Sequence, residues 1–160
     1  MSVAFTKEGD AESVAADLPD RPISPHPNLV TPRGLAQIEA ALDAARKAFS
    51  AARLQGDTQQ DRTAMARATR DLRYYGSRRA SAQLVTFDPA SGVVRFGAAV
   101  TVEREDASRL TYRIVGEDEA DPAQGLISYI APVARALLGK AVGDEVEAVG
   151  QSLEIVAIGA

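Results

Sequence analysis

The stretch TPRGLAQIEAALDAARKAFSAARLQGDTQQDRTAMARATRDLRYYGSRRASAQ, residues 31–83, decides the fold of this chain. Thr31 and Pro32 make a helix start, with threonine as N-cap and proline at the first helical position. Behind them Leu35, Ile38, Leu42, Ala45, Phe49 and Ala52 recur in alternating steps of three and four. That is a heptad seam, the pattern of a helix lying along another helix. The run ends at Gln55-Gly56-Asp57, where glycine allows a turn. A second seam follows at Met65, Ala68, Leu72 and Tyr75; Arg79 interrupts it and Ala82 resumes it. Two runs of similar length around a glycine turn predict an antiparallel helical hairpin, a short coiled coil. Its surface is expected to carry Arg46, Lys47, Arg53, Arg62, Arg67, Arg70, Arg73, Arg78 and Arg79.

On the N-terminal side, residues 1–30 read as an acidic, proline-rich tail, extended or disordered. Five prolines fall between Pro19 and Pro32, and proline fixes φ, lacks a donor and biases its predecessor away from helix. On the C-terminal side the apolar period changes to two. Val94, Phe96, Ala98, Val100 and Val102 share one face, as do Leu110, Tyr112 and Ile114. LISYI (126–130), VGDEVEAV (142–149) and SLEIVAI (152–158) supply further strands, and EDEADPAQG (117–125) reads as an acidic, solvated loop. Ala131-Pro132 opens a short helix that Gly139 stops. The expected fold class is α+β: a tail over 1–30, an antiparallel hairpin over 31–83, and a small antiparallel β domain with one short helix over 84–160.

Composition narrows the chemistry. The chain has 160 residues and no cysteine, which excludes disulfides, thiolate catalysis and cysteine-based zinc sites. No apolar run approaches the ~18 residues of a membrane span, so no membrane association is expected. The opening MSVAFTKEGDAES lacks the pattern of a secretory signal, which makes a cytoplasmic location the default expectation. His26, the single histidine, sits between two prolines with no neighbouring ligand, so neither a metal site nor a triad is expected of it. Net charge is −4 but uneven: residues 1–30 carry −3, residues 31–83 carry +5 and residues 84–160 carry −6. Such segregation suggests two surfaces with different partners; scattered solvated charge is the local alternative.

FGAAVTVE (96–103), TYRIVGEDEADPAQGLIS (111–128) and APVARALLGKAVGDEVE (131–147) closely resemble the second domain of the bacterial Gre transcript-cleavage factors, and VTPRGLAQIEAAL (30–42) resembles the opening of that family's first helix. The resemblance implies an FKBP-like C-terminal domain docked at the rim of the secondary channel of RNA polymerase, with the hairpin entering the channel. It implies no catalysis by the chain itself, at most stimulation of the polymerase's own RNA cleavage. Cleavage-competent members carry Asp-x-x-Glu at the tip, which helps hold a second Mg²⁺ shared with the polymerase. Hydrolysis of a phosphodiester by two metals needs hard oxygen ligands, and carboxylates three or four residues apart on a helix share a face.

In this tip Gly56-Asp57 matches the family, but neutral Gln60 stands where the glutamate belongs. Asp61 could substitute, making Asp57 and Asp61 the candidate metal pair; locally, Asp57 would cap the second helix and Asp61 would be a first-turn charge. Against the family pattern each arm is about one heptad short, which removes roughly 10 Å of reach. Ile130-Ala131-Pro132 falls where the family has a polymerase-docking Asn-Ser-Pro or Asp-Ser-Pro. Arg53, Arg62, Arg67 and Arg70 would contact nascent RNA or the channel walls, with a solvated face as the alternative. Tyr74 and Tyr75 could stack on bases, although Tyr75 also fits the seam. The leading expectation is therefore a polymerase-binding modulator of elongation with weak or no cleavage stimulation. A cleavage-stimulating factor using Asp57 and Asp61 is the second reading. An FKBP-like isomerase or chaperone is the third, and the low aromatic content speaks against it.

Overall fold

The computed structural model describes residues 18–56 and 58–160. Two helices occupy the two heptad runs: α1 (Pro32–Arg53) and α2 (Gln59–Ser81). Residues 54–58 join them at one end. Near the other end Arg79 Nε donates to Glu39 Oε1 at 2.9 Å. A short link at one end and a side-chain contact at the other fix the pair as antiparallel. The seam is buried at Ile38, Leu42, Ala45 and Ala52 of α1 and at Ala68 of α2. Met65, Leu72 and Tyr75 are half-buried.

One expectation for the hairpin surface is corrected. Arg78 is not a surface arginine: it is only 2% exposed and engaged by polar contacts. A guanidinium tolerates such burial only when its donors are met. Arg79, at the interrupted seam position, stays half-exposed and pairs with Glu39.

The chain divides into two compact units. One gathers residues 18–26 with the helical stretch Gln37–Ser81; the other gathers Pro27–Ala36 with Ala82–Ala160. The division differs from the boundaries expected at residues 30 and 83. The reason is local. Leu29–Val30 (β1) pairs in parallel with Gln83–Leu84 (β2), and these strands flank the hairpin in sequence. Parallel strands need a long crossover, and here the helical hairpin is that crossover. The end of the segment read as a tail, residues 27–30, is tied into the second unit. Asn28 O accepts from Gln83 N at 2.8 Å, Val30 O accepts from Val85 N at 2.9 Å, and Tyr129 Oη donates to Pro27 O at 2.6 Å. Residues 1–17 lie outside the described residues.

The second unit is built on a five-stranded sheet in the order β5-β4-β3-β7-β6. Its strands are β3 (Ala99–Arg104), β4 (Arg109–Val115), β5 (Leu126–Ser128), β6 (Glu145–Ala148) and β7 (Gln151–Gly159), with the short helix α3 (Pro132–Leu137) packed on it. The sheet is mixed rather than wholly antiparallel, because β5 runs parallel to β4. The connecting Glu117–Gly125 loop crosses over instead of turning back. Val94, Phe96, Ala98, Val100 and Val102 are all buried as their alternation required. Only residues from Ala99 onward are laddered, however, since Gly97 adopts φ +88° and breaks the extended run. In β7, Ile155 and Ile158 both join the core although they are three positions apart. A register shift against β3 between Thr101 and Val102 places one extra residue between them and makes this possible.

Candidate functional site

At the tip, Thr58 caps α2. Asp61 N donates to Thr58 Oγ1 at 3.2 Å; in return Asp61 Oδ2 accepts from Thr58 N at 3.1 Å and from Thr58 Oγ1 at 2.5 Å. This is a reciprocal capping box. It explains why threonine and aspartate stand three residues apart at the start of the helix. It also commits the Asp61 carboxylate to its own helix end. Gln60 is exposed. Asp57 lies outside the described residues, so the proposed pairing of Asp57 with Asp61 has one described member. Among the described residues no group of three or more His, Asp or Glu side chains gathers where it could hold a metal ion. One carboxylate already hydrogen-bonded to a threonine does not by itself make a divalent-cation site.

The expected docking residues lie together between β5 and α3. Ala131 N donates to Ser128 O at 2.9 Å, Ala131 takes the N-cap position without a side-chain cap bond, and Pro132 opens the helix and is exposed. Ile130 and Ala131 are half-buried. The segment is thus a fixed turn with an exposed proline at its crest.

The arginines separate by environment. Arg53, Arg62 and Arg67 are exposed, and the Arg53 guanidinium lies 5.9 Å from the Phe49 ring centroid. Arg70 is half-buried, with its Nε beyond hydrogen-bonding distance from any acceptor and 3.8 Å from Asp71 Oδ1. Tyr74 and Tyr75 meet edge to face, their centroids 5.1 Å apart. Both rings face Arg21, whose guanidinium carbon sits 3.7 Å from the Tyr74 centroid and 5.2 Å from that of Tyr75. The hydrogen bond with Tyr75 holds the Arg21 guanidinium still more firmly protonated than usual. Beside it Arg73 Nη1 donates to Asp20 Oδ1 at 3.1 Å. Beyond one charged pair amid prolines, nothing in the residue pattern signalled these leader contacts.

A second missed feature lies in the other unit. Glu119 was expected in a solvated turn but is only 6% exposed. It accepts from Thr31 Oγ1 at 2.6 Å, and Arg33 lies 3.4 Å from its other oxygen. Thr31 Oγ1 in turn accepts from Gly34 N at 2.9 Å. Glu119 therefore supplies, from 88 residues away, the carboxylate that accepts the proton of the cap hydroxyl and leaves its oxygen facing Gly34 N. Gly34 occupies N3, and a Cβ there would lie 2.7 Å from Glu119 Oε2. A glycine in the first turn was the available signal. Nearby, a cavity of about 420 Å³ is lined by Val85, Phe87, Arg113 and Glu119, among others. Phe87 is its only aromatic wall, unlike the aromatic-lined pocket expected of an FKBP-like isomerase.

A helical hairpin with a capped polar tip and a mixed-sheet domain with a proline-crested turn define a two-part, hairpin-plus-sheet class of protein. Residues 89–159 match the family described as "Transcription elongation factor, GreA/GreB, C-term". Transcription elongation factor GreA of Rhodospirillum rubrum is 37% identical over 134 residues, covering 74% of this chain and 85% of the relative. GreA of Desulfovibrio desulfuricans is 46% identical over 92 residues, 56% of each chain, and GreB of Pasteurella multocida is 46% identical over 79 residues, 49% of this chain and 50% of the relative. The chain thus spans about half the length of several curated relatives that it matches. Among solved structures, GreA factor homolog 1 of Thermus thermophilus aligns with a TM-score of 0.41 at 21% identity, over 84% of this chain and all of that one. The chain belongs to the GreA/GreB family.

Proposed function

We propose that this chain binds bacterial RNA polymerase at the secondary channel and modulates elongation, with weak or no stimulation of transcript cleavage. Family membership supports the partner. The tip chemistry supports the restriction on cleavage, and one observation carries it: Asp61 is held in the capping box of α2 while its neighbour Gln60 has no charge to offer a cation. Recruiting the Asp61 carboxylate to a metal would break its two hydrogen bonds with Thr58 and weaken the start of α2. The exposed turn at Ile130-Ala131-Pro132 would supply the docking contact, and the hairpin would occupy the channel, where Arg53, Arg62 and Arg67 meet charged walls or nascent RNA.

Purified polymerase stalled in backtracked complexes tests the reading. Adding the chain with Mg²⁺ should give a complex that co-elutes with polymerase while the RNA keeps its length. Shortened RNA that disappears with Asp57→Asn would replace this reading with the cleavage-stimulating one. Failure to bind polymerase would remove both.

A further inference from the structure

We propose that Leu18–His26 is a cis-acting strap that occupies a face of α2 suited to single-stranded RNA. Besides the ion pair of Arg21 with Asp71 at 3.9 Å, the leader makes two adjacent contacts there, each imitating half of a nucleotide. The planar Arg21 guanidinium lies over the Tyr74 ring at 3.7 Å, where a base would stack. The Asp20 carboxylate accepts from Arg73 at 3.1 Å, where a phosphate oxygen would sit. Leu18 and Asp20 line a groove of about 470 Å³ with Met65, Thr69, Arg70 and Arg73. In that groove Arg70 Nε is buried without an acceptor, although buried donors are normally met. The strap leaves unmet a donor that a phosphate could reach.

Both strap contacts belong to classes that are weak at exposed positions, and Asp20, Arg73 and Arg21 are all at least one-third exposed. Prolines at 19, 22 and 25 restrict the leader to extended conformations, which lowers the cost of seating it. The result is a tethered competitor that excludes weak or accidental ligands and yields to a longer polyanion able to contact several arginines at once.

The double substitution Asp20→Ala/Arg21→Ala removes both contacts without changing net charge. In the full chain, without polymerase, it should tighten binding of a short fluorescein-labelled oligouridylate roughly tenfold at fixed salt. Adding Tyr74→Ala should remove that gain. In the unaltered chain the Arg21 side-chain protons should be shifted upfield by the Tyr74 ring and should move to random-coil positions as oligouridylate saturates. Equal affinities for the double variant and the unaltered chain would overturn the strap. So would RNA that binds while the Arg21 signals stay in place. A gain that survives Tyr74→Ala would overturn the stacking face.

Discussion

Glu119 lies far from α1 in sequence yet completes the cap of that helix. Its removal leaves the Thr31 hydroxyl without its acceptor and an apolar gap beside Gly34. Glu119→Ala should therefore cost about 1–3 kcal/mol, the usual penalty for orphaning a buried polar partner. Gly34→Ala should be costly in the native chain because its Cβ would press on Glu119 Oε2. In the Glu119→Ala background that clash is gone. The two penalties should then sum to more than the double variant shows by ~1 kcal/mol or more in urea unfolding. Strict additivity would mean that the pair does not interact. A second residue-scale case is Val149. The β6–β7 hairpin turns on Val149-Gly150 with φ of 53° and 71°, both positive. Such turns favour Asn-Gly, and a β-branched residue is strained there. Val149→Asn should raise stability by about 1 kcal/mol, seen as a higher Tm; an unchanged or lower Tm would refute the strain.

At the scale of elements, α2 is the weaker arm of the hairpin. It carries four arginines between Arg67 and Arg78, and a glycine in its interior. A Cβ at Gly76 would meet nothing within 4 Å, and its φ is not in the left-handed region. Gly76→Ala should thus stabilise α2 by ~0.5–1 kcal/mol through backbone entropy alone. Thr58→Ala should cost about 1 kcal/mol by deleting the cap. Thermal unfolding followed by circular dichroism reads both, and opposite signs are expected. Both helices were legible because a heptad seam depends on local periodicity, and Thr31-Pro32 marks its start without ambiguity. The capping box of Thr58 and Asp61 was not read, because the turn glycine drew the expected cap to Asp57, which lies outside the described residues. The sheet was legible as alternation. The parallel pairing of β5 and the bulge in β7 were not, because each depends on a distant strand. Glu119 and Arg78 were misjudged for the same reason. A charged residue reads as solvated until its partner is known, and the partners of Glu119 lie on the other side of the hairpin in sequence.

For the whole molecule, the proposed weakness in cleavage raises the question of what would keep the tip from completing a metal site in another protein. Two causes are separable: the wrong side chain at position 60 and insufficient reach. α2 has 23 residues, about 35 Å at the usual rise. The proposed deficit of one heptad per arm is then nearly a third of its length. Metal coordination tolerates displacements of only a few tenths of an ångström. Gln60→Glu alone should therefore leave backtracked RNA uncleaved, although the carboxylate is restored. Inserting one heptad into each arm keeps the seam in register and should restore reach without restoring chemistry, so it too should be inactive alone. Only the combination should shorten the RNA, and binding to polymerase should survive in all three because the proposed docking turn at Pro132 is untouched. Cleavage by Gln60→Glu in the native-length hairpin would show that reach was never limiting. A combination that binds but stays inactive would place the defect elsewhere at the tip, with the Thr58-bound Asp61 the first residue to examine.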